Sequence, residues 1–560
     1  MFSIRNNELT AAVITCVRRT VRSGNQWFRW IACRRPLACF ICVAAELTLR
    51  AVMLPWIGVP EPWVSDEFSY LLGADTFASG RLANPTHPFW IHFETLHVNQ
   101  LPTYVSKYPP TQALIMAAGQ RMFGQPWFGV WISAALMCGS ICWMLQGWLP
   151  PRSALIGGGL AVIQMGALGY WVNSYYGGAA AAFGGSLLLG VVPRIVKFPR
   201  WRHVLMGGFG LGLLACTRPY EGVFLIVACS VAALLWMRCK RRSLRPLLSP
   251  GLLLPGFAMT AIFLLAFGFY NYRTTGNALL LPYVVNEATY SPVPSLLWQS
   301  PHRTPPKYRD AAIRAHWMGW EAAQYYGWRS RPILKLASIG YAAWRYFFRG
   351  SGIALIPIGA CLWMWRLLWL RYATLIAALF LLAPFGVRGP TEAHYLAPIA
   401  GLFFLFAGAG LLSLSTLRYR NQRRARGLSA LILVSWLLSF GVEAANAIKE
   451  PLNARAGEYR VAGADAFLNS RRAVLAQLGR DPAWHLVIVH YAPDHNVHLE
   501  WVYNRASIDE SAIVWARDRG TQENLLLIQY FRKRKVWLLD ADDEHPHLVL
   551  YRLPLEASHN

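Results

Sequence analysis

Acidic residues are scarce in this chain of 560 residues: 28 Asp and Glu stand against 54 Lys and Arg, and charged residues of either sign make up only 15%. So small a charged fraction, beside 55% hydrophobic residues, excludes a disordered chain. It also leaves more apolar surface than a soluble protein can hide, so part of the solvent is lipid. Phosphate-cradling glycine loops are missing too. Neither GxxxxGK[ST] nor GxGxxG occurs, which removes the usual mark of a nucleotide-binding enzyme. The ten cysteines (Cys16, Cys33, Cys39, Cys42, Cys138, Cys142, Cys216, Cys229, Cys239 and Cys361) all lie in apolar segments or their basic flanks. None stands beside histidines at zinc spacing, so they read as small apolar fillers rather than a disulfide framework or a metal site. No aromatic-basic nucleic-acid motif accompanies the formal charge of +26. The basic residues cluster beside hydrophobic runs instead, which points to a membrane and away from nucleic acid. Solenoid repeats and low-complexity tracts are absent.

What is present is a series of runs long enough to cross a bilayer, at about 36–58, 126–148, 153–171, 176–193, 203–218, 220–237, 250–271, 351–369, 372–388, 395–417 and 428–447. They predict an all-α polytopic membrane domain of about eleven transmembrane helices. The first run follows Arg18, Arg19, Arg22, Arg29, Arg34 and Arg35 and is too long for a signal-peptide core. It is expected to be an uncleaved first helix behind a basic cytoplasmic N-terminus, 1–35. The basic connections 193–203, 238–245 and 418–426 are all placed in the cytoplasm by the positive-inside rule. That parity requires TQALIMAAGQRMFG, 111–124, to be an amphipathic surface helix and not a span. The transmembrane domain then covers 36–447, with outer loops 59–125 and 272–350. The tail, 448–560, holds strand-like runs at 485–491, 511–517, 535–541 and 547–553, with helix-like stretches at 460–479 and 520–531. It reads as a small α/β extracytoplasmic domain.

The first outer loop begins with EPWVSDEFSYLLGADTF, which sets Asp66 and Glu67 just beyond the first helix. Adjacent acids at a membrane boundary are costly unless solvated or used. They suit a general base beside a lipid phosphate, or equally the first turn of a helix capped by Ser65. The loop ends in VSKYPPTQALIM, where Lys107 stands ready either to meet a headgroup phosphate or merely to snorkel. ACTRPYEGV offers Arg218 as a phosphate clamp or as the ion-pair partner of Glu221. RGPTEAHYLAPI sets Arg388, Glu392, His394 and Tyr395 at another outer helix end. In the second loop, Tyr283, Glu287, His302, Arg303, Lys307 and Tyr308 are candidates for an acceptor side or ordinary loop polarity. The tail's HYAPDHNVHLEWVYN gathers His490, Asp494, His495, His498 and Glu500, which are zinc-ligand types without a fixing spacing.

An acidic doublet after the first helix, a loop of about fifty residues and a lysine before Pro-Pro at a surface helix together resemble the GT-C membrane glycosyltransferases. The nearest patterns are the protein O-mannosyltransferases and the lipid A aminoarabinose transferase. The resemblance implies a glycosyltransferase that moves a sugar from a polyprenyl-phosphate carrier to an acceptor glycan, lipid or protein, with inversion, in the plasma (inner) membrane. It casts Asp66 as the base with Glu67 in support, Lys107, Arg218, His394 and Tyr395 on the donor phosphate, and Tyr283 and Glu287 on the acceptor side. Two departures are visible: Tyr108 stands between Lys107 and the prolines, and His394 replaces an arginine. Where many relatives carry a second acid, this chain reads YWVNSYYGG with Asn173 and Ser174, so no metal or other cofactor is expected. A flippase or transporter of a lipid-linked sugar would show related halves and ionisable groups in broken helices, which are not seen. A non-catalytic receptor, anchored by the helices and binding through its tail, would be indifferent to Asp66→Asn.

Overall fold

The computed structural model describes residues 23–243, 245, 249–416, 422–450 and 463–552. Cys16, Arg18, Arg19 and Arg22, the basic residues Arg418 and Arg420, and 451–462 at the head of the tail lie outside the described residues, as do the side chains of Arg423, Arg424 and Arg426.

Eight described helices are long and apolar enough to cross a membrane: Arg35–Ile57, Trp127–Trp148, Gly178–Lys197, Pro219–Cys239, Pro250–Thr275, Leu368–Gly386, Ala393–Thr416 and Gly427–Lys449. The chain is a multi-pass, largely helical membrane protein with a small sheet near its C-terminus. The three other expected spans show how backbone geometry amends a hydropathy count. The run at 153–171 is the helix Pro151–Ala161, continued by a π segment Val162–Gly166 and the short helix Tyr170–Asn173. The run at 203–218 is the helix Trp201–Ala215, roughly 23 Å long at 1.5 Å per residue and shorter than a bilayer core. The run at 351–369 corresponds to Gly352–Met364, which forms a pair with Pro332–Phe348 bent by 101°. The second loop therefore ends in a helix where a plain connection was expected. The bend follows from Arg349 and Gly350, both at positive φ (52° and 70°), which halt the first helix and redirect the chain. The segment 111–124 is a separate helix, Pro110–Phe123, with Ala113, Met116 and Ala117 buried and Leu114, Met122 and Phe123 exposed. That two-sidedness is what its amphipathic pattern predicts.

Small residues bring the helices together. A Cβ added at Gly185 would meet the Pro398 carbonyl oxygen at 2.0 Å, so only glycine lets Gly178–Lys197 lie against the start of Ala393–Thr416.

In the tail, all four expected strands form: β3 (His485–His490), β4 (Ile513–Arg517), β5 (Lys535–Asp540) and β6 (Leu548–Leu550). The earlier pair, β1 (Val98–Asn99) and β2 (Val105–Ser106), is a short antiparallel ribbon in the first loop. The four-stranded sheet has the order β4-β3-β5-β6, with β3 parallel to β4 and β5, and β6 antiparallel at the edge. Its central strand is buried on both faces, as a continuous apolar run demands. Val487 and Val489 pack in one cluster with Trp63 and Val64 of the first loop, while Leu486 and Ile488 pack on the other face with Leu72, Phe93, Val98 and Tyr104. First loop and tail thus share one hydrophobic core. Trp63 and Val64, immediately before the acidic doublet, are held by that sheet.

A buried ionic joint closes the same interface. Arg517 donates to the Glu94 carbonyl (2.6 Å) and to Asp310 Oδ2 (2.7 Å), and pairs with Glu500, so three distant segments meet on one guanidinium. Arg519 and the Tyr290 hydroxyl take the two carboxylate oxygens of Glu94 at 3.1 and 2.9 Å. Asp310 Oδ1 also caps Ala311–Arg314 by accepting from the Ile313 amide (3.0 Å).

Candidate active site

The loops and helix ends surround a cavity of about 750 Å³, a size within the range of small-molecule sites. The eight residues to which the resemblance gives site roles, Asp66, Glu67, Lys107, Arg218, Tyr283, Glu287, His394 and Tyr395, line it, while Arg303 and Lys307 of the second loop do not.

Asp66 and Glu67 sit in the first turn of the helix Ser65–Ala78, but the residue in the cap position is Val64 and Ser65 makes no capping bond. The two acids face different partners. Glu67 accepts from the Trp63 amide (3.2 Å) and the Tyr175 amide (3.0 Å), so it is tied to backbone. Burial, outweighing those amide bonds, pushes it up to about 7. Asp66 accepts the Tyr108 hydroxyl on Oδ1 and has His97 Nε2 3.6 Å from Oδ2. Burial opposes its charge, but a cationic His97 at the low pH where Asp66 titrates, the Lys107 ammonium and the Tyr108 bond reverse that and hold it well below the usual carboxylate range. Burial and Lys107 push His97 down to about 3, so at neutral pH it meets Asp66 as an uncharged ring. His97 also adopts a left-handed φ of 63°, a strained conformation costing on the order of 1–3 kcal/mol.

The ribbon explains this placement. Ser69 Oγ donates to the His97 carbonyl (2.6 Å) and shares a hydrogen bond with Ser106 Oγ (2.8 Å), which pins the helix of Asp66 to β1 and β2. The Lys107 amide bonds the His97 carbonyl (3.1 Å), so the two side chains leave the ribbon as neighbours. Pro109 and Pro110 then start the next helix with preset φ. From that helix, Thr111 Oγ1 reaches the Cys216 carbonyl (2.9 Å) at the turn carrying Arg218.

Lys107 does not snorkel: its side chain is 5% exposed. Its ammonium is 3.9 Å from Glu287 and above the Tyr283 ring at 4.9 Å. Burial presses its pKa down, while Glu287 and Asp66 work to keep it charged. Glu287 is shared, since Arg388 also pairs with it at 2.7 Å and with Glu321 at 2.6 Å. Arg218 has Glu221 3.8 Å away and its guanidinium 5.1 Å from the Tyr395 ring centre, and all three line the cavity. His394 is fixed by Tyr170, whose hydroxyl pairs with Nδ1 at 2.8 Å. Asn173 donates to the Leu168 carbonyl and serves its own turn.

His302 also borders the cavity, whereas Tyr308 turns away to the Tyr290 carbonyl. Sequence reasoning missed His97, His316 and Glu321, and treated Tyr108 only as a break in a motif. His316 and Glu321 lie on a π segment, Ala315–Glu321, a distortion common at functional sites. The only available signal was the density of tryptophan and charge in AHWMGWE. The tail's histidines separate: His490 pairs with Asp518, His495 with Asp542, and His498 enters the cavity beside His316, ring centres 5.2 Å apart. Among the described residues, no three His, Cys, Asp or Glu side chains converge as a metal-binding group.

No known family profile matches the chain, and no curated protein sequence matches it. Solved structures do resemble it. One is the oligosaccharyltransferase of Archaeoglobus fulgidus in complex with zinc and sulfate, at 10% identity over 90% of this chain and 67% of that one, TM-score 0.47. Another is ArnT from Cupriavidus metallidurans, at 12% identity over 90% and 92%, with TM-scores of 0.43 for the apo form and 0.44 for the form bound to undecaprenyl phosphate. Both are GT-C membrane glycosyltransferases, the class the first-loop motifs resemble.

Proposed function

We propose that the chain is a membrane glycosyltransferase that takes a sugar from a polyprenyl-phosphate carrier and delivers it, with inversion, to an acceptor hydroxyl or amine on the extracytoplasmic face. The observation that supports this most is the convergence of Asp66, Lys107 and Arg218 on one cavity. One carboxylate and two cations at a membrane boundary are what a single displacement at a sugar–phosphate bond needs. The acceptor oxygen or nitrogen forms a bond to the anomeric carbon as the bond to the phosphate oxygen breaks. The acceptor proton passes to Asp66, and the electron pair stays on the carrier phosphate, stabilised by Lys107 and Arg218.

The resting electrostatics suit an ordered sequence. Lys107 helps hold Asp66 well below the usual carboxylate range, too acidic to be a good base. A donor phosphate set on Lys107 and Arg218 offsets their field, so donor binding raises the Asp66 pKa when a base is needed. The arginines ahead of the first helix favour a cytoplasmic N-terminus, and the core that the first loop shares with the tail keeps those two on one side of the membrane.

Incubating the purified protein with a panel of polyprenyl-phosphate sugars and assaying release of the carrier phosphate tests the proposal. Turnover of at least one donor by the wild type, lost in a folded Asp66→Asn variant, is expected. Turnover undiminished in Asp66→Asn would end the assignment of the base, and inertness toward every donor would end the transferase proposal.

A further inference from the structure

The cavity has six carboxylates, Asp66, Glu67, Glu221, Glu287, Glu321 and Glu392, and five are engaged by partners already described. Asp66 holds Tyr108, Glu67 holds two amides, Glu221 faces Arg218, and Glu287 and Glu321 share Arg388. Glu392 differs. Its Oε2 accepts from the Tyr346 hydroxyl (2.8 Å), and among the described residues its other oxygen receives no hydrogen bond and no Lys, Arg or His pairs with it. Arg345 acts on it only at longer range. Burial, partly offset by the Tyr346 bond and reinforced by the Asp66 charge, pushes Glu392 up to about 7. A largely buried carboxylate with one unfilled oxygen is an acceptor awaiting donors.

Its surroundings suggest which. The same short segment carries His394, whose ring stacks with Tyr176 at 5.0 Å and 13° and is locked by Tyr170. Next along the segment is Tyr395, over which Arg218 lies. The wall therefore runs from a hydrogen-bond acceptor through an aromatic face to a guanidinium. A sugar phosphate has the complementary sequence of polar substituents, an apolar C–H face and an anion.

Building on the donor assignment above, we propose that Glu392 reads the sugar. Its open carboxylate oxygen accepts hydrogen bonds from hydroxyl or ammonium substituents of the donor's ring, which lies against Tyr176 and His394 with its phosphate toward Arg218. A site built to hydrogen-bond such groups discriminates strongly against ligands that lack them.

The test is binding of three probes to the purified full-length protein: bare polyprenyl phosphate, the same carrier bearing a neutral hexose, and the carrier bearing an amino sugar. The wild type is expected to hold at least one sugar-bearing carrier about tenfold or more tighter than the bare one. Glu392→Gln is expected to erase that margin without changing affinity for the bare carrier or the melting temperature. Selective loss with the amino sugar assigns an ammonium contact, and equal loss assigns hydroxyls. Should Glu392→Gln fail to fold, Glu392→Asp, which keeps the charge on a shorter arm, is expected to narrow the same margin. A margin that survives in a folded variant, a parallel loss of bare-carrier affinity, or a wild type indifferent to the sugar overturns the sugar-reading role. A wild type that binds no carrier at all overturns the donor assignment itself.

Discussion

Two clusters of buried charge are built from the same first loop, second loop and tail, yet they are finished differently. Around Arg517 each guanidinium nitrogen faces a partner: the Glu94 carbonyl, Asp310 and Glu500. Around Asp66 the charges face a cavity of about 750 Å³ and several are only half satisfied. A buried ionic network that closes on itself holds segments in register, and one that stays open to a cavity is prepared for a ligand. Acid content alone does not tell them apart, since each contains three or more carboxylates. What separates them is whether the remaining lone pairs find protein.

The largest effects should come from breaking the closed cluster. Arg517→Met takes the arginine from Asp310 and Glu500 and leaves the Glu94 carbonyl without its donor, and a loss of about 3–5 kcal/mol is expected on removing one partner from a buried network. It would be read as a large fall in melting temperature. Asp310→Asn should be milder, because asparagine still caps Ala311–Arg314 while the charge is lost. The open cluster should give the opposite pattern: Asp66→Asn is expected to lower turnover by about 10²–10⁴ fold with the melting temperature nearly unchanged.

Glu67 sharpens the contrast, because it neighbours Asp66 yet belongs with the structural group. Glu67→Gln keeps one acceptor oxygen for two amides, so a destabilisation of about 1–3 kcal/mol is expected. The sign of its pH dependence follows from a folded pKa of about 7 against an ordinary 4.5. Its protonated form is favoured in the fold, so its contribution is full below about 4.5 and is lost as pH rises through about 7. The stability gap between wild type and Glu67→Gln should accordingly narrow over that window in melting curves. The smallest effect concerns Asp66 itself. It must be ionised to act, so activity falls as pH drops through its pKa. If the donor phosphate offsets Lys107 and Arg218, the acid limb of kcat should lie at higher pH than that of kcat/KM. Coincident limbs would mean the phosphate leaves Asp66 untouched.

Much of this was legible in the chain because hydropathy and strand runs are local. The four tail strands and eight spans stand where their apolar runs stand. The bend at Arg349 and Gly350 was hidden because an arginine in a left-handed conformation has no sequence mark. At the site, Asp66, Lys107 and Arg218 were readable from their places at helix ends. Glu321, His316 and His97 were not, because they reach the cavity through long-range contacts that no spacing encodes. Tyr108 looked like a flaw in a motif, and the fold turns it into the hydrogen-bond partner of Asp66.

Ribosomal synthesis runs from the first loop toward the tail, and the Arg517 joint sets a timetable on that process. Asp310 and the Glu94 carbonyl emerge long before the arginine that bonds them both, and Trp63 and Val64 lack their sheet until β3 has been made. A nascent chain halted before the tail would therefore carry the acids of the site without the scaffold that aims them. On the proposed function, competence would arrive late, with the tail strands, sparing the cell a half-built transferase that competes for lipid carriers.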